Sequence, residues 1–149
     1  GLNDNFDKFS GHVIPAMINK INDAVAKKKK VIKLLGTGKP IREFLYSDDL
    51  AEAILLVLNK KKQKIFKVCN NSFPIINVGS GSSISISSLS KIISKFSNYK
   101  GKIIFDKNYP DGTMKKNLNS KIIRSLGWKP KTTLIEGLKK SIEFYLKNK

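Results

Sequence analysis

One cysteine, one histidine, one tryptophan and two arginines stand among 149 residues. The lone thiol, Cys69, excludes an internal disulfide and a cysteine-rich zinc site. With one imidazole in the whole chain, a structural metal is not expected either. Long apolar runs are missing too. None approaches the ~18 residues a spanning helix needs, and no charged-then-apolar leader stands at the start. A soluble, cytoplasmic chain without membrane contact is the expectation. The first residue is glycine rather than methionine, which reads as a piece of a longer protein.

Carboxylates are scarce: 11 acidic against 29 basic residues leave a net charge of +18. Such an excess suits phosphate neutralisation by a nucleic-acid binder. The kind of residue argues otherwise. Lysine supplies 27 of the basic positions, beside 19 isoleucines and 13 asparagines, a trio sharing adenine- and thymine-rich codons. A nucleic-acid interface favours arginine forks with interleaved aromatics. Here the lysines fall in solvated runs at 27–30 and 60–62, each closing a predicted helix, where they complement the helix dipole. No nucleic-acid partner is expected.

What is present reads as an α/β domain of ordinary size. Residues 1–11 are polar and turn-like. Val13, Ile14, Met17, Ile18 and Ile21 follow helical spacing, with Ser10 as N-cap and Pro15 in the first turn. Val31–Leu35 predicts a strand, Gly36-Thr37-Gly38 a turn, and Glu43–Tyr46 a second short strand. Ser47, Asp48 and Asp49 open a helix with Leu50, Ile54, Val57 and Leu58 on one face. Residues 59–74 read as a loop with a weak strand near 65–68, and Ile75–Val78 as a buried strand. Ser85 caps a helix through Leu89, Ile92, Ile93 and Phe96, and Lys102–Phe105 is a strand. Pro110-Asp111-Gly112 is a turn. A short helix around Ile122 and Leu126 stops at Gly127, and a last helix carries Leu138, Ile142 and Tyr145.

Two residues stand out chemically. His12 sits at a predicted helix start, where imidazole either caps and packs or exchanges a proton near neutral pH. Arg42 is an arginine in a chain that otherwise uses lysine, which points to a need for planar, two-pronged geometry toward a diphosphate. Its plainer reading is a salt bridge with Glu43 or Asp48. Arg124 reads as surface. Neither Gly36-Thr37-Gly38 nor Gly79-Ser80-Gly81 carries the spaced third glycine of a dinucleotide loop. Cys69, in a lysine-rich stretch, has no activating neighbour in the sequence.

The order of Asp4-Asn5-Phe6-Asp7, Ser10-Gly11-His12-Val13-Ile14-Pro15-Ala16, the 36–51 block GTGKPIREFLYSDDLA, INVGSG at 76–81, Pro110-Asp111-Gly112-Thr113 and LGWKP at 126–130 resembles the C-terminal half of the extended short-chain dehydrogenase/reductase family of nucleotide-sugar enzymes. The opening segment and the PDGT turn are most similar to the subgroup that epimerises and reduces a GDP-linked 4-keto-6-deoxy sugar. The resemblance implies a Rossmann-like fold in which about 10–43 and 82–149 bind substrate and about 44–79 are late Rossmann elements. It implies NADP(H), held mainly by an upstream half together with the catalytic tyrosine, lysine and cysteine base, and a homodimeric parent. It assigns His12 as the proton donor, close to the cofactor. It assigns Lys20, Leu35, Arg42 and Asp111 to the GDP-sugar. Leu35 departs from the subgroup's tryptophan, losing stacking area and an indole hydrogen bond. Asn119 stands where relatives carry aspartate. The alternatives are another nucleotide-sugar epimerase or dehydratase, a non-catalytic sugar-nucleotide binder, and a basic nucleic-acid module.

Overall fold

The computed structural model describes residues 1–7, 10–70 and 73–149. The parts of the turn-like start and of the 59–74 loop that fall on Lys8, Phe9, Asn71 and Ser72 lie outside the described residues. In chain order the elements are α1 (Val13–Ala26), β1 (Val31–Leu35), β2 (Ile41–Glu43), α2 (Ser47–Leu58), α3 (Lys62–Val68), β3 (Ser83–Ser85), α4 (Ile86–Phe96), β4 (Lys102–Asp106), β5 (Lys115–Lys116), α5 (Lys121–Ser125) and α6 (Leu134–Lys147). Two compact units result: Gly1–Arg42, Ile84–Lys115 and Ile135–Lys149 form the first, Glu43–Ser83 and Lys116–Leu134 the second.

In the first unit β1 and β4 pair in parallel, Val31 opposite Lys102 through Leu35 opposite Asp106. Ile32 and Leu34 alternate inward along β1, as the period of a half-buried strand requires. Helix α1 buries Met17, Ile18 and Ile21 at the expected spacing. Its N-cap is His12 rather than Ser10, because Asp7 Oδ1 accepts from both the amide and the hydroxyl of Ser10 at 2.8 Å. Helix α4 starts as predicted: Ser85 Oγ accepts from the Ser88 amide at 3.1 Å. Leu89 and Ile93 of α4 are fully buried, as are Ile18 and Ile21. Asn22 survives in this core because its Nδ2 donates to Ile18 O at 2.8 Å and Ser97 Oγ at 3.1 Å. Helix α6 buries Leu138, Ile142 and Tyr145.

The second unit departs further from expectation. Helix α2 begins where predicted but turns its other face inward. Ala53 is fully buried against Ile123, Leu126 and Trp128, with Leu56 and Val57 packed on that cluster. Leu50, Ile54 and Leu58 point outward, Leu58 at 73 % exposure. Backbone polar bonds decide this orientation. Trp128 Nε1 donates to Asp49 O at 3.1 Å, and the buried Asp49 carboxylate accepts the amides of Lys131 (3.1 Å) and Thr132 (3.0 Å). The weak strand expected near 65–68 is instead part of α3, whose Ile65 and Val68 reach the same cluster. The strand expected at Glu43–Tyr46 lies earlier, at Ile41–Glu43. Residues 75–78 alternate in burial as a strand does, Ile76 and Val78 inward, yet form no strand among the described residues. Phe73 and Ile75 stand 84 % and 64 % exposed.

Candidate functional site

A cleft of about 310 Å³ opens in the first unit. Its walls are the first turns of α1 (Val13, Ala16, Met17, Lys20), the end of β1 with its glycine turn (Leu34, Leu35, Gly36, Gly38, Pro40), Arg42 of β2, Ile86 of α4 and Pro110–Gly112. The cleft therefore lies past the carboxyl ends of the parallel pair, where loops of α/β sheets gather ligands. Lys20, Leu35, Arg42 and Asp111, separated widely in sequence, all line it. His12 is exposed and directly precedes Val13 of the lining, and its side chain makes no capping bond to α1.

The rim is held by a clasp that sequence reading missed. Thr37 gives Asp111 two hydrogen bonds, its amide to Oδ1 at 2.8 Å and its hydroxyl to Oδ2 at 2.5 Å. The Thr37 hydroxyl, then the Thr37 amide, hold the Asp111 carboxyl below its usual range. Lys39 and Arg42 act in the same direction and partial desolvation opposes them. Asp111 thus anchors the Pro-Asp-Gly turn onto the glycine turn. Gly36, at φ 77°, is required there, since a Cβ would lie 2.4 Å from Asp111 Oδ1. The only hint in the sequence was a hydroxyl residue between two glycines.

Arg42 Nη1 donates to Ile41 O at 2.8 Å, which leaves most of its five N–H groups for a ligand. Glu43 and Asp48, its partners in the plainer reading, belong to the second unit. Within the second unit, Glu43 accepts the amides of Gly81 at 2.6 Å and Leu118 at 2.9 Å. Arg124 is not plain surface either. It donates to Ser80 O at 2.9 Å and lies 5.2 Å from the centre of the Trp128 ring, pinning the 79–81 turn.

Residues before His12 are positioned by contacts with helices. Asn19 Nδ2 donates to Phe6 O at 2.6 Å, and Tyr145 hydroxyl donates to Asn19 Oδ1 at 3.0 Å. The Phe6 ring lies 5.1 Å from that of Tyr145. Gly11 closes the turn, since a Cβ there would come within 2.5 Å of backbone oxygens of Asp7 and Asn5. The Asn5-Phe6 pair carried this signal, but nothing in the sequence alone tied it to Tyr145.

Neither glycine pair opens a helix: Gly36–Gly38 joins β1 to β2, and Gly79–Gly81 precedes β3. A dinucleotide cradle needs amides at a helix start, so these turns do not fit that cofactor. No helix among the described residues is long and apolar enough to cross a membrane.

Residues 1–70 match the model of the NAD dependent epimerase/dehydratase family. The chain is 40 % identical over 148 residues to GDP-L-fucose synthase of Sinorhizobium fredii, covering 99 % of this chain and 44 % of that protein. A GDP-6-OMe-4-keto-L-xylo-heptose reductase from C. jejuni superposes with TM-score 0.89 at 30 % identity, over all of this chain and 51 % of that one. A GDP-L-fucose synthetase from Naegleria fowleri bound to NADP gives TM-score 0.82 at 28 % identity, over 97 % of this chain and 43 % of that one. The chain spans about half the length of the curated relatives it matches. It is a relative of these proteins along its whole length and has the Rossmann-like α/β fold of their C-terminal portion.

Proposed function

We propose that this chain is the C-terminal half of a GDP-L-fucose synthase of the NAD dependent epimerase/dehydratase family, and supplies that enzyme's sugar-nucleotide cleft. The parent converts GDP-4-keto-6-deoxy-D-mannose to GDP-L-fucose by epimerisation beside the ketone and NADP(H)-dependent reduction. One observation carries the reading: Lys20, Leu35, Arg42 and Asp111 line a single cleft, at the end of a parallel strand pair where such ligands sit. Arg42 takes the diphosphate with its remaining donors, and Lys20 adds a second positive charge. Leu35 gives the sugar an apolar face. Asp111 keeps the rim closed through Thr37 and offers its spare lone pairs to sugar hydroxyls.

His12 serves the epimerisation. A base removes the proton on the carbon next to the ketone, leaving an enolate, and the imidazole returns a proton on the opposite face. An exposed imidazole at a helix start, uncommitted to capping, suits that role. NADP(H) and the base belong to an upstream half in this reading. The outward apolar face of α2, with Phe73 and Ile75, supports it, because patches of that kind call for a covering partner. Helix-rich contacts of that upstream half would make the parent a homodimer in the cytoplasm.

A second reading is favoured by Leu35: without an indole, the cleft suits a different GDP-linked keto sugar, whose carbonyl is reduced by the same machinery. Expressing the full open reading frame and supplying GDP-4-keto-6-deoxymannose with NADPH separates the two. GDP-L-fucose formation, lost in His12→Asn, supports the first. NADPH oxidation yielding another GDP-sugar transfers the case to the second. Absence of GDP binding overturns both.

A further inference from the structure

The opposite end of the β1–β4 pair holds a second hollow, of about 380 Å³, lined by Lys28, Lys29, Lys30, Lys100 and Lys102. No carboxylate is among its lining residues. We propose that this hollow is a second anion site, taking a small oligophosphate of two or three linked phosphates.

The scaffold beneath the lysines is fixed. The chain leaves α1 and α4 through left-handed residues, Lys28 at φ 50° and Asn98 at φ 54°. The Lys29 amide donates back to Ala24 O at 2.9 Å, the Tyr99 amide to Ser94 O at 2.9 Å, and the Lys102 amide ties the two loops together on Lys30 O at 2.7 Å. The stems of these lysines start from hydrogen-bonded positions around one concavity.

The plainer account is that lysines offset the helix ends. Helices α1 and α4 both finish here, each contributing about half a negative charge. Asp23 adds one more, paired with Lys27 Nζ at 2.8 Å and Lys29 Nζ at 3.9 Å. Against roughly two negative charges stand six lysines, Lys27 included. About four positive charges stay uncompensated around one opening, and their mutual repulsion is relieved by a ligand of similar opposite charge. A compact oligophosphate matches both that charge and the volume, whereas a single orthophosphate leaves most of it unbalanced. The site is separate from the first cleft. Val31 and Leu35, at the two ends of β1, are about 13 Å apart at ~3.3 Å per residue.

Titration calorimetry of the chain with sodium tripolyphosphate, at about 150 mM salt, tests this, with amide shift mapping on the unmodified protein as a readout independent of any variant. Expected are a set of shifts at 24–31 and 97–103, separate from those that a phosphate chain causes around Arg42 in the first cleft, and one ligand per chain in Arg42→Gln. Affinity should fall about tenfold in Lys30→Gln/Lys100→Gln, which removes two exposed ion pairs. It should hold in Lys61→Gln/Lys62→Gln, which removes equal charge elsewhere. Any of four results overturns the proposal: equal loss in the control pair, shifts spread over lysines throughout the chain, equally tight binding of orthophosphate, or binding of a single-stranded oligonucleotide that tripolyphosphate does not displace.

Discussion

Arg42→Lys keeps the charge in the cleft and removes the fork. In the structure one guanidinium N–H is already spent on Ile41 O at 2.8 Å, and that bond fixes the plane of the others. An ammonium has three donors on a rotating tip and no second prong, so it reaches one phosphate oxygen where guanidinium reaches two. One charge-assisted hydrogen bond is worth about 1.5–3 kcal/mol. Its loss corresponds to roughly 10- to 150-fold in affinity. Calorimetry with GDP on the product of the full reading frame should show a weakening in that range. With GMP, which lacks the second phosphate, the same variant should change little, so the preference for GDP over GMP should collapse. If Arg42→Lys binds GDP within about threefold of the unmodified protein, Arg42 does not grip a diphosphate and the cleft has been misread.

Other consequences can be checked separately. Asp49→Ala strands the Lys131 and Thr132 amides that the carboxylate accepts. Two bonds to a charged acceptor put the cost at about 3–5 kcal/mol, readable by urea unfolding through Trp128, the only tryptophan in the chain; a loss below about 1 kcal/mol contradicts the geometry. Gly36→Ala forces a left-handed backbone on alanine and drives its methyl into Asp111 Oδ1, so GDP binding should drop by at least about tenfold, and an unchanged affinity would show that the clasp does not shape the cleft. Because Thr37 holds the Asp111 pKa below the ordinary 3.8, the clasp's contribution is complete above that pH and vanishes as acidity passes through the depressed value. The Thr37 amide shift should therefore titrate with a midpoint under 3.8, and a midpoint above it refutes the assignment.

Much of the first unit was legible because its signals are local. Met17, Ile18 and Ile21 sit at helical spacing, Ser85 caps its helix, and Val31–Leu35 is β-branched at its start and bounded by glycine. The second unit was less legible because its choices are made at a distance. Nothing near Ala53 announces that it, rather than Leu50 or Ile54, faces inward; that follows from Trp128 and the loop at 131–132, about 80 positions later. Residues 75–78 have the alternation of a strand, but strand pairing needs a neighbour that the pattern alone cannot supply. In the site, Arg42 stood out through rarity, and Lys20 and Leu35 only through resemblance. Thr37 was invisible, because its role exists only once Asp111 is beside it.

The union of Thr37 and Asp111 joins positions 74 apart. A nascent chain emerging from the ribosome has the floor of the cleft early and its rim only after residue 111 has left the exit tunnel. The rim of the cleft therefore closes late, and a nick between Asp106 and Asp111 would free it from β4 while leaving α1 and the β1–β4 pair standing.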